Sequence, residues 1–296
     1  MASYDSLIIG EDWISEHYFT TDATKESFQA EVNTLRGLWN RDEKEGHVSP
    51  RTRFLAGCQG LLAGLAGVSE ISKPKALAEA ARAVHAHVRA MLGYPTNLAS
   101  FKDFSSVRAD VPVTAEQCAL TKDGQVLLLE ALPVEAIEEF FNTETSRLLT
   151  PVLIEGKPQP LPAKALSELY RSATPPAFIV VLAGPWVVVT EAERWAEGRY
   201  LAVNLQLVAE RRDEKRGAEV DRAVACTRAE SVLPAADESL WWADILEKSL
   251  KHTVGVSKDL RRGIRDSVEI IANDVVQRLR ALTKNVSCLL YTSPSP

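Results

Sequence analysis

The apolar run AFIVVLAGPWVVVT, residues 177–190, restricts the fold more than any other part of the sequence. Gly184-Pro185 interrupts it, and Gly-Pro pairs mark turns. The run therefore predicts a hairpin of two strands, 178–183 and 186–190, with residues 200–203 as a third strand. The run is too short to cross a lipid bilayer, so these strands are expected in a protein core.

A second hairpin is predicted upstream. Residues 111–119 and 125–130 are rich in strand-forming side chains, and Asp123-Gly124 between them is a typical hairpin turn. Short helices are predicted at 134–141 and 163–171, and a proline-bounded extended segment at 151–161. These elements predict a mixed β-sheet core.

Helices are predicted before the first hairpin. Apolar residues at helical spacing predict a helix over 23–45, with Thr24 as its N-cap, and two more helices over 51–68 and 75–92. The helix over 51–68 contains a glycine series that lacks the spacing of a phosphate-binding loop and is better suited to close helix packing. The series is Gly57, Gly60, Gly64 and Gly67.

The chain becomes helical again after Leu205. Apolar side chains at steps of three and four predict one long helix with a narrow apolar stripe. The stripe comprises Leu260, Ile264, Val268, Ile271, Val275, Leu279 and Leu282. Four cations lie off this stripe and are candidate DNA contacts, although a solvated helix face is the alternative interpretation. They are Lys258, Arg261, Arg262 and Arg265.

Composition restricts the class of protein. The chain has 296 residues, 46% of them hydrophobic, with a net charge of -6. An acidic chain does not hold DNA mainly through its overall field, because phosphate binding requires clustered Lys and Arg. The four cysteines show no zinc or disulfide spacing. Because the N-terminus also lacks a basic, apolar leader, we expect a cytoplasmic protein without a membrane segment.

The segment CLLYTSPSP, residues 288–296, does not continue the helical pattern before it. Its back-translation resembles a transposon-end adapter of sequencing libraries read in frame. We therefore expect this segment to be an adapter-derived tail, and the natural chain to continue past Ser287.

Three stretches resemble the N-terminal region of large, single-chain, type IIG-like adenine-specific DNA methyltransferases of restriction-modification and phage-defence systems. They are GEDWISEHYFTTDA (10–23), PPAFIVVLAGPWVVVTEAERWAEGRYLAVNLQLV (175–208) and LEKSLKHTVGVSKDLRRGIRDSVEIIANDVV (246–276). The resemblance implies an α/β (α+β) fold with a helical N-terminus and a mixed sheet like that of PD-(D/E)-x-K nucleases. It places this nuclease-like domain at 1–205 and a helical connector at 206–287.

In such nucleases an Asp and a Glu hold Mg2+ and a Lys helps to activate the attacking water. Glu130 ends the expected strand and is the candidate catalytic and metal-binding residue, but Leu132 stands where the lysine is expected. The preceding strand offers Glu116 and Gln117 in place of an aspartate. Mg2+ is thus expected only if the nuclease site is active.

Glu155-Gly156-Lys157 also spells Glu-x-Lys, so Glu155 and Lys157 form a rival candidate pair. The glycine and the prolines that follow predict a turn and a loop, where metal ligands are poorly held.

The methyltransferase signature, Asn or Asp followed by Pro-Pro and an aromatic residue, is missing, because Thr174 precedes Pro175-Pro176. S-adenosylmethionine is therefore expected only in a missing C-terminal methyltransferase domain. The resemblance implies a nuclease-like region that positions DNA without cleaving it, as part of a full-length methyltransferase. The alternative is a non-catalytic interaction module of a defence complex.

Overall fold

The computed structural model describes residues 5–21, 26–105, 110–235 and 239–290, with side chains in the last range for 239–254 and 260–280. Nine strands in these ranges form one sheet. They are β1 (Leu7–Gly10), β2 (Ala99–Ser105), β3 (Val111–Ala119), β4 (Val126–Glu130), β5 (Val152–Ile154), β6 (Lys157–Gln159), β7 (Phe178–Ala183), β8 (Trp186–Glu191) and β9 (Tyr200–Asn204).

Helices precede, interrupt and follow the strands. They are α1 (Glu16–Thr20), α2 (Phe28–Lys44), α3 (Pro50–Ser69), α4 (Pro74–Leu92), α5 (Ile137–Phe140), α6 (Pro162–Tyr170), α7 (Ala192–Trp195), α8 (Leu205–Arg211), α9 (Glu219–Thr227), α10 (Ala229–Val232) and α11 (Trp241–Leu290). The predicted α/β class is confirmed. None of the described helices contains a stretch long and apolar enough to cross a bilayer.

The sheet is mixed, as predicted. Its order is β1-β9-β8-β7-β4-β3-β5-β6, with β2 on β3. β4 and β7 run parallel, with Glu130 opposite Leu182. The other described pairs are antiparallel, including the β3–β4 and β7–β8 hairpins that the Asp-Gly and Gly-Pro turns predicted.

The central strands are buried on both faces. In β4, Leu128 belongs to one apolar core and Leu127 to the other. The first core contains buried residues of α2, α3, α4, α8 and α9, and the second those of α5 and α6. Side chains of a strand alternate between the two faces of a sheet, and helices cover both faces here. The almost continuous apolar sequences of β4 and β7 therefore bury apolar side chains on both faces.

Packing of α3 against α4 explains the glycine series. A Cβ atom added to Gly57 would lie 2.2 Å from Cγ of Met91, and one added to Gly60 would lie 2.8 Å from Cε1 of His87. Gly64 is similarly close to Val84. The predicted role of these glycines in close helix packing is therefore confirmed, whereas a Cβ on Gly67 would meet nothing within 4 Å.

The predicted start of the first long helix is wrong. Helix α2 begins at Phe28, and Ser27 caps it by accepting a hydrogen bond from the backbone N–H of Ala30 at 3.3 Å. A serine hydroxyl that accepts a hydrogen bond from a free N–H group of the first turn stabilises the start of a helix at that position. Thr24 itself lies outside the described residues.

The chain divides into two compact units, Met1–Ser249 and Leu250–Pro296. The first contains the sheet and α1 to α10. In the second, α11 is helical through Leu290, so residues 288–290 continue the helix, and residues 291–296 lie outside the described part. Within this unit every side chain from 260 to 280 is exposed, including the apolar stripe from Leu260 to Leu279.

Candidate functional site

Glu130, the last residue of β4, lies at the wall of a cavity of about 360 Å3. The walls come from α4, the segment after it, β3, β4 and the loop before β5. The lining residues are Arg82, Arg89, Thr96, Asn97, Leu98, Ala115, Glu116, Gln117, Cys118, Leu128, Leu129, Glu130 and Thr150. The cavity is thus polar and contains the strongest nuclease candidate of the sequence.

Helix α4 brings two arginines to Glu130. Arg82 and Arg89 are two helical turns apart and therefore lie on one face of α4. Nη1 of Arg82 lies 3.7 Å from Oε2 of Glu130, and Nε of Arg89 lies 3.8 Å from Oε1. Arg82 is further fixed by a 2.7 Å hydrogen bond that it donates to the carbonyl oxygen of Leu149. The carboxylate is consequently flanked by two cations.

Burial is the largest influence on the carboxyl group of Glu130. Its side chain is 16% exposed. Burial raises its pKa above the ordinary value, although Arg89 and Arg82 act in the opposite direction. Oε1 of Glu130 and Nε of Arg89 are both buried and have no hydrogen-bond partner among the described residues. The ion cluster therefore retains unused hydrogen-bonding capacity.

An irregularity in β3 completes the wall. Phe101 of β2 pairs with Ala115 and Ala99 pairs with Ala119, so β3 has two extra residues between these pairs. Gln117 has a positive φ of 49° within this irregularity. Neighbouring residues of a regular strand point to opposite faces, whereas a bulge relaxes this alternation. Glu116 and Gln117 consequently both line the cavity.

The residues around Glu130 do not suit Mg2+ well. Mg2+ takes oxygen ligands in octahedral geometry, and two guanidinium groups within 4 Å of a carboxylate compete with it. Within the described ranges, no group of three or more His, Cys, Asp or Glu residues could hold a metal ion. Leu132 carries no charge, and its backbone N–H donates to the carbonyl oxygen of Arg147 at 2.7 Å.

The rival pair lies elsewhere. Glu155 and Gly156 both have positive φ, 54° and 72°, and form the tight turn between β5 and β6. Lys157 lies 3.9 Å from Glu155, and the two side chains are 82% and 52% exposed. Neither lines the cavity around Glu130. The predicted turn is confirmed, and the structure does not bring this pair together with Glu130.

The candidate DNA contacts are in the second unit. Arg261, Arg262 and Arg265 are exposed on α11. Lys258 lies within the same helix, but its side chain is outside the described residues. These cations belong to a helix face of mixed charge, because Asp266 and Glu269 follow them directly and are also exposed. Their role stays a prediction.

Sequence reasoning missed Arg82 and Arg89. Their spacing of seven on an amphipathic helix was the available signal, since it places both side chains on one face. Between them lies His85, which is fully buried and accepts a 3.0 Å hydrogen bond from the backbone N–H of Gly184 at Nε2. His87 contacts the carbonyl oxygen of Gly57 instead, so the two histidines have different partners.

Comparisons with known proteins add no relative whose residues could be aligned with this cavity. Protein-family models, curated proteins and solved structures were compared with the chain, and none of the three comparisons gave a match. The role of this cavity is therefore argued from the geometry around Glu130 and from the sequence resemblance.

Proposed function

We propose that this chain is the N-terminal, nuclease-like region of an adenine-specific DNA methyltransferase of a restriction-modification or phage-defence system, in which it positions DNA without cutting it. The observation that carries the proposal is the ion cluster of Glu130 with Arg82 and Arg89. The strand end that would hold a metal in a nuclease is flanked by guanidinium groups, which suit phosphate oxygens.

Leu132 supports the absence of cleavage. In the nucleases that the sequence resembles, a lysine at this position helps to activate water and offsets charge on the phosphate. A leucine supplies neither effect, and loss of one such electrostatic group commonly lowers a rate by about a hundredfold to a thousandfold. S-adenosylmethionine would bind a further domain, and Mg2+ is not required by the region proposed here.

A cleavage assay tests this proposal. The chain is incubated with supercoiled plasmid DNA and Mg2+ or Mn2+, beside Glu130→Ala and Lys157→Ala variants, and nicked and linear products are measured. We expect no product above the metal-free background in any sample. Metal-dependent cleavage that disappears in Glu130→Ala would contradict the proposal. Cleavage that disappears only in Lys157→Ala would place an active site at the β5–β6 turn.

A second candidate function, a non-catalytic interaction module, is favoured by one observation. The apolar side chains of α11 between Leu260 and Leu279 are exposed, and contiguous exposed apolar residues are characteristic of interaction surfaces. The two candidates differ in what the gene encodes further on. A downstream Asn or Asp followed by Pro-Pro and an aromatic residue supports the methyltransferase, whereas a gene without it supports the module.

A further inference from the structure

The charged groups of the ion cluster lie close together but do not use all of their hydrogen-bonding atoms. Distances of 3.7 and 3.8 Å join Glu130 to Arg82 and Arg89, and both exceed the length of a charge-assisted hydrogen bond. Nε of Arg89 and Oε1 of Glu130 make no hydrogen bond to any described residue. Leaving a buried polar atom without a partner costs free energy. A ligand that supplies acceptors to the arginines would remove part of this cost.

The cavity has room and further polar groups for such a ligand. Its volume of about 360 Å3 falls in the range of small-molecule sites, roughly 300–1,000 Å3. Besides the arginines, its wall contains Thr96, Asn97 and Gln117, whose side chains carry hydroxyl or amide groups. These groups donate hydrogen bonds to oxygen atoms.

We propose that this cavity binds a phosphate group between Arg82 and Arg89, and that Glu130 occupies the same pair of guanidinium groups when phosphate is absent. Two guanidinium groups present planar sets of N–H donors that match phosphate oxygens. The source of the phosphate in the cell, a DNA phosphodiester, rests on the proposed function. The phosphate chemistry itself rests only on the cavity.

The charges in the cavity determine how strongly phosphate competes with Glu130 for the two guanidinium groups. Arg82 and Arg89 offer two positive charges, opposed by Glu130 and by the exposed Glu116. Glu116 is exposed to water, so its repulsion of an anion is screened. Glu130 is closer to the two arginines and more buried than Glu116. Burial raises the pKa of Glu130, and protonation of its carboxylate removes its repulsion of an anion. A protonated Glu130 also becomes a donor to a phosphate oxygen.

The competition predicts opposite effects for two kinds of substitution. In Arg89→Gln, one guanidinium is lost and phosphate affinity falls, by about tenfold or more if one charged hydrogen bond is removed. In Glu130→Gln, the internal competitor loses its charge and phosphate affinity rises several-fold. A metal site would show the reverse, because Glu130→Gln would remove a metal ligand.

The experiment uses the full chain and three probes at one low ionic strength, because phosphate binding is salt-dependent. The probes are inorganic phosphate, deoxyadenosine monophosphate and a short duplex DNA, and binding is measured by titration calorimetry. The variants are Arg89→Gln, Arg82→Lys and Glu130→Gln. Arg199→Gln and Glu197→Gln are the controls, since Arg199 and Glu197 form a 2.7 Å surface ion pair that does not line the cavity.

We expect at least one probe to bind more weakly to Arg89→Gln and more tightly to Glu130→Gln, with both controls unchanged. A gain of affinity cannot come from a variant that fails to fold. If DNA binds but none of the three cavity variants changes its affinity, the phosphate site is overturned, and the chain positions DNA through another surface. If inorganic phosphate or the nucleotide binds with the expected variant pattern but DNA does not, the phosphate site stands and the proposed function fails. Binding of no probe overturns both.

Discussion

The backbone N–H of Gly184 donates a 3.0 Å hydrogen bond to Nε2 of His85, and this bond joins α4 to the turn between β7 and β8. His85 is fully buried. A ring nitrogen that accepts a hydrogen bond carries no proton, so the imidazole is neutral and its proton is on Nδ1. The bond therefore fixes the helix that carries Arg82 and Arg89 relative to the strand beside β4.

His85 predicts a loss of stability in acid. Burial, followed by the nearby Arg89 and Arg82, lowers its pKa from 6.5 to about 3. Above pH 6.5 the side chain is neutral in both the folded and unfolded states, and below it the unfolded state takes up the proton first. The free energy of unfolding should therefore fall as pH decreases from 6.5 towards 3, by about 1.4 kcal/mol per pH unit from this group.

Urea denaturation at pH 7 and pH 5 measures this effect. We expect His85 to account for a decrease of about 2 kcal/mol between the two values, and His85→Gln to remove that part of the decrease. His47→Gln is the matched control, because the His47 side chain is 72% exposed. An unchanged pH dependence in His85→Gln would show that the buried imidazole does not set it.

Gly184 itself predicts a strict requirement for glycine. It has a φ of +67°, and an added Cβ would lie 2.7 Å from Cβ and 3.0 Å from Cα of Pro133. Gly184→Ala should lower the free energy of unfolding by about 1–3 kcal/mol through strain at this turn. The control is Gly37→Ala in α2, where a Cβ meets nothing within 4 Å and a gain of up to about 1 kcal/mol is expected. Equal effects of the two substitutions in urea denaturation would refute this reasoning.

Among the variants proposed here, substitution of Asp221 should lower the free energy of unfolding most. Its carboxylate is fully buried, accepts hydrogen bonds of 3.2 Å from Arg36 and Arg51, and accepts another of 2.8 Å from the backbone N–H of Gly217. Asp221→Asn removes the buried negative charge that faces the two arginines and should cost about 3–5 kcal/mol. Glu214→Gln changes a 42% exposed partner of the same Arg51 and should cost less than about 1 kcal/mol. Thermal unfolding measures both, and similar melting temperatures for the two variants would contradict the prediction.

Backbone amides of α11 should be less protected from exchange with solvent than those of α3. Every side chain from 260 to 280 is exposed, whereas α3 buries Phe54, Cys58 and Leu61. Helical stability comes mostly from packing of an apolar face, so amides of 260–280 should exchange with solvent about a hundredfold or more faster than those in the middle of α3. Hydrogen exchange with mass spectrometry measures this ratio. Equally slow exchange in both helices would mean that the apolar stripe of α11 is covered in solution.

The sequence by itself determined the local elements of this protein. The Asp123-Gly124 and Gly184-Pro185 turns predicted both hairpins, because positive φ and proline geometry are properties of single residues. Apolar residues spaced by three and four predicted the helices, because this spacing places them along one face of a helix. The same local signals placed Glu130 at the end of a strand and Glu155 in a turn.

Only the tertiary structure decided what surrounds Glu130. Arg82 and Arg89 lie on a helix that precedes two intervening strands, so no local spacing relates them to this carboxylate. Their meeting depends on the packing of α4 against the sheet and on the parallel pairing of β4 with β7. Pairing between distant segments depends on the sum of many burial contacts rather than on a motif. For that reason the residue that the resemblance made a candidate metal ligand is, in the folded chain, flanked by two arginines.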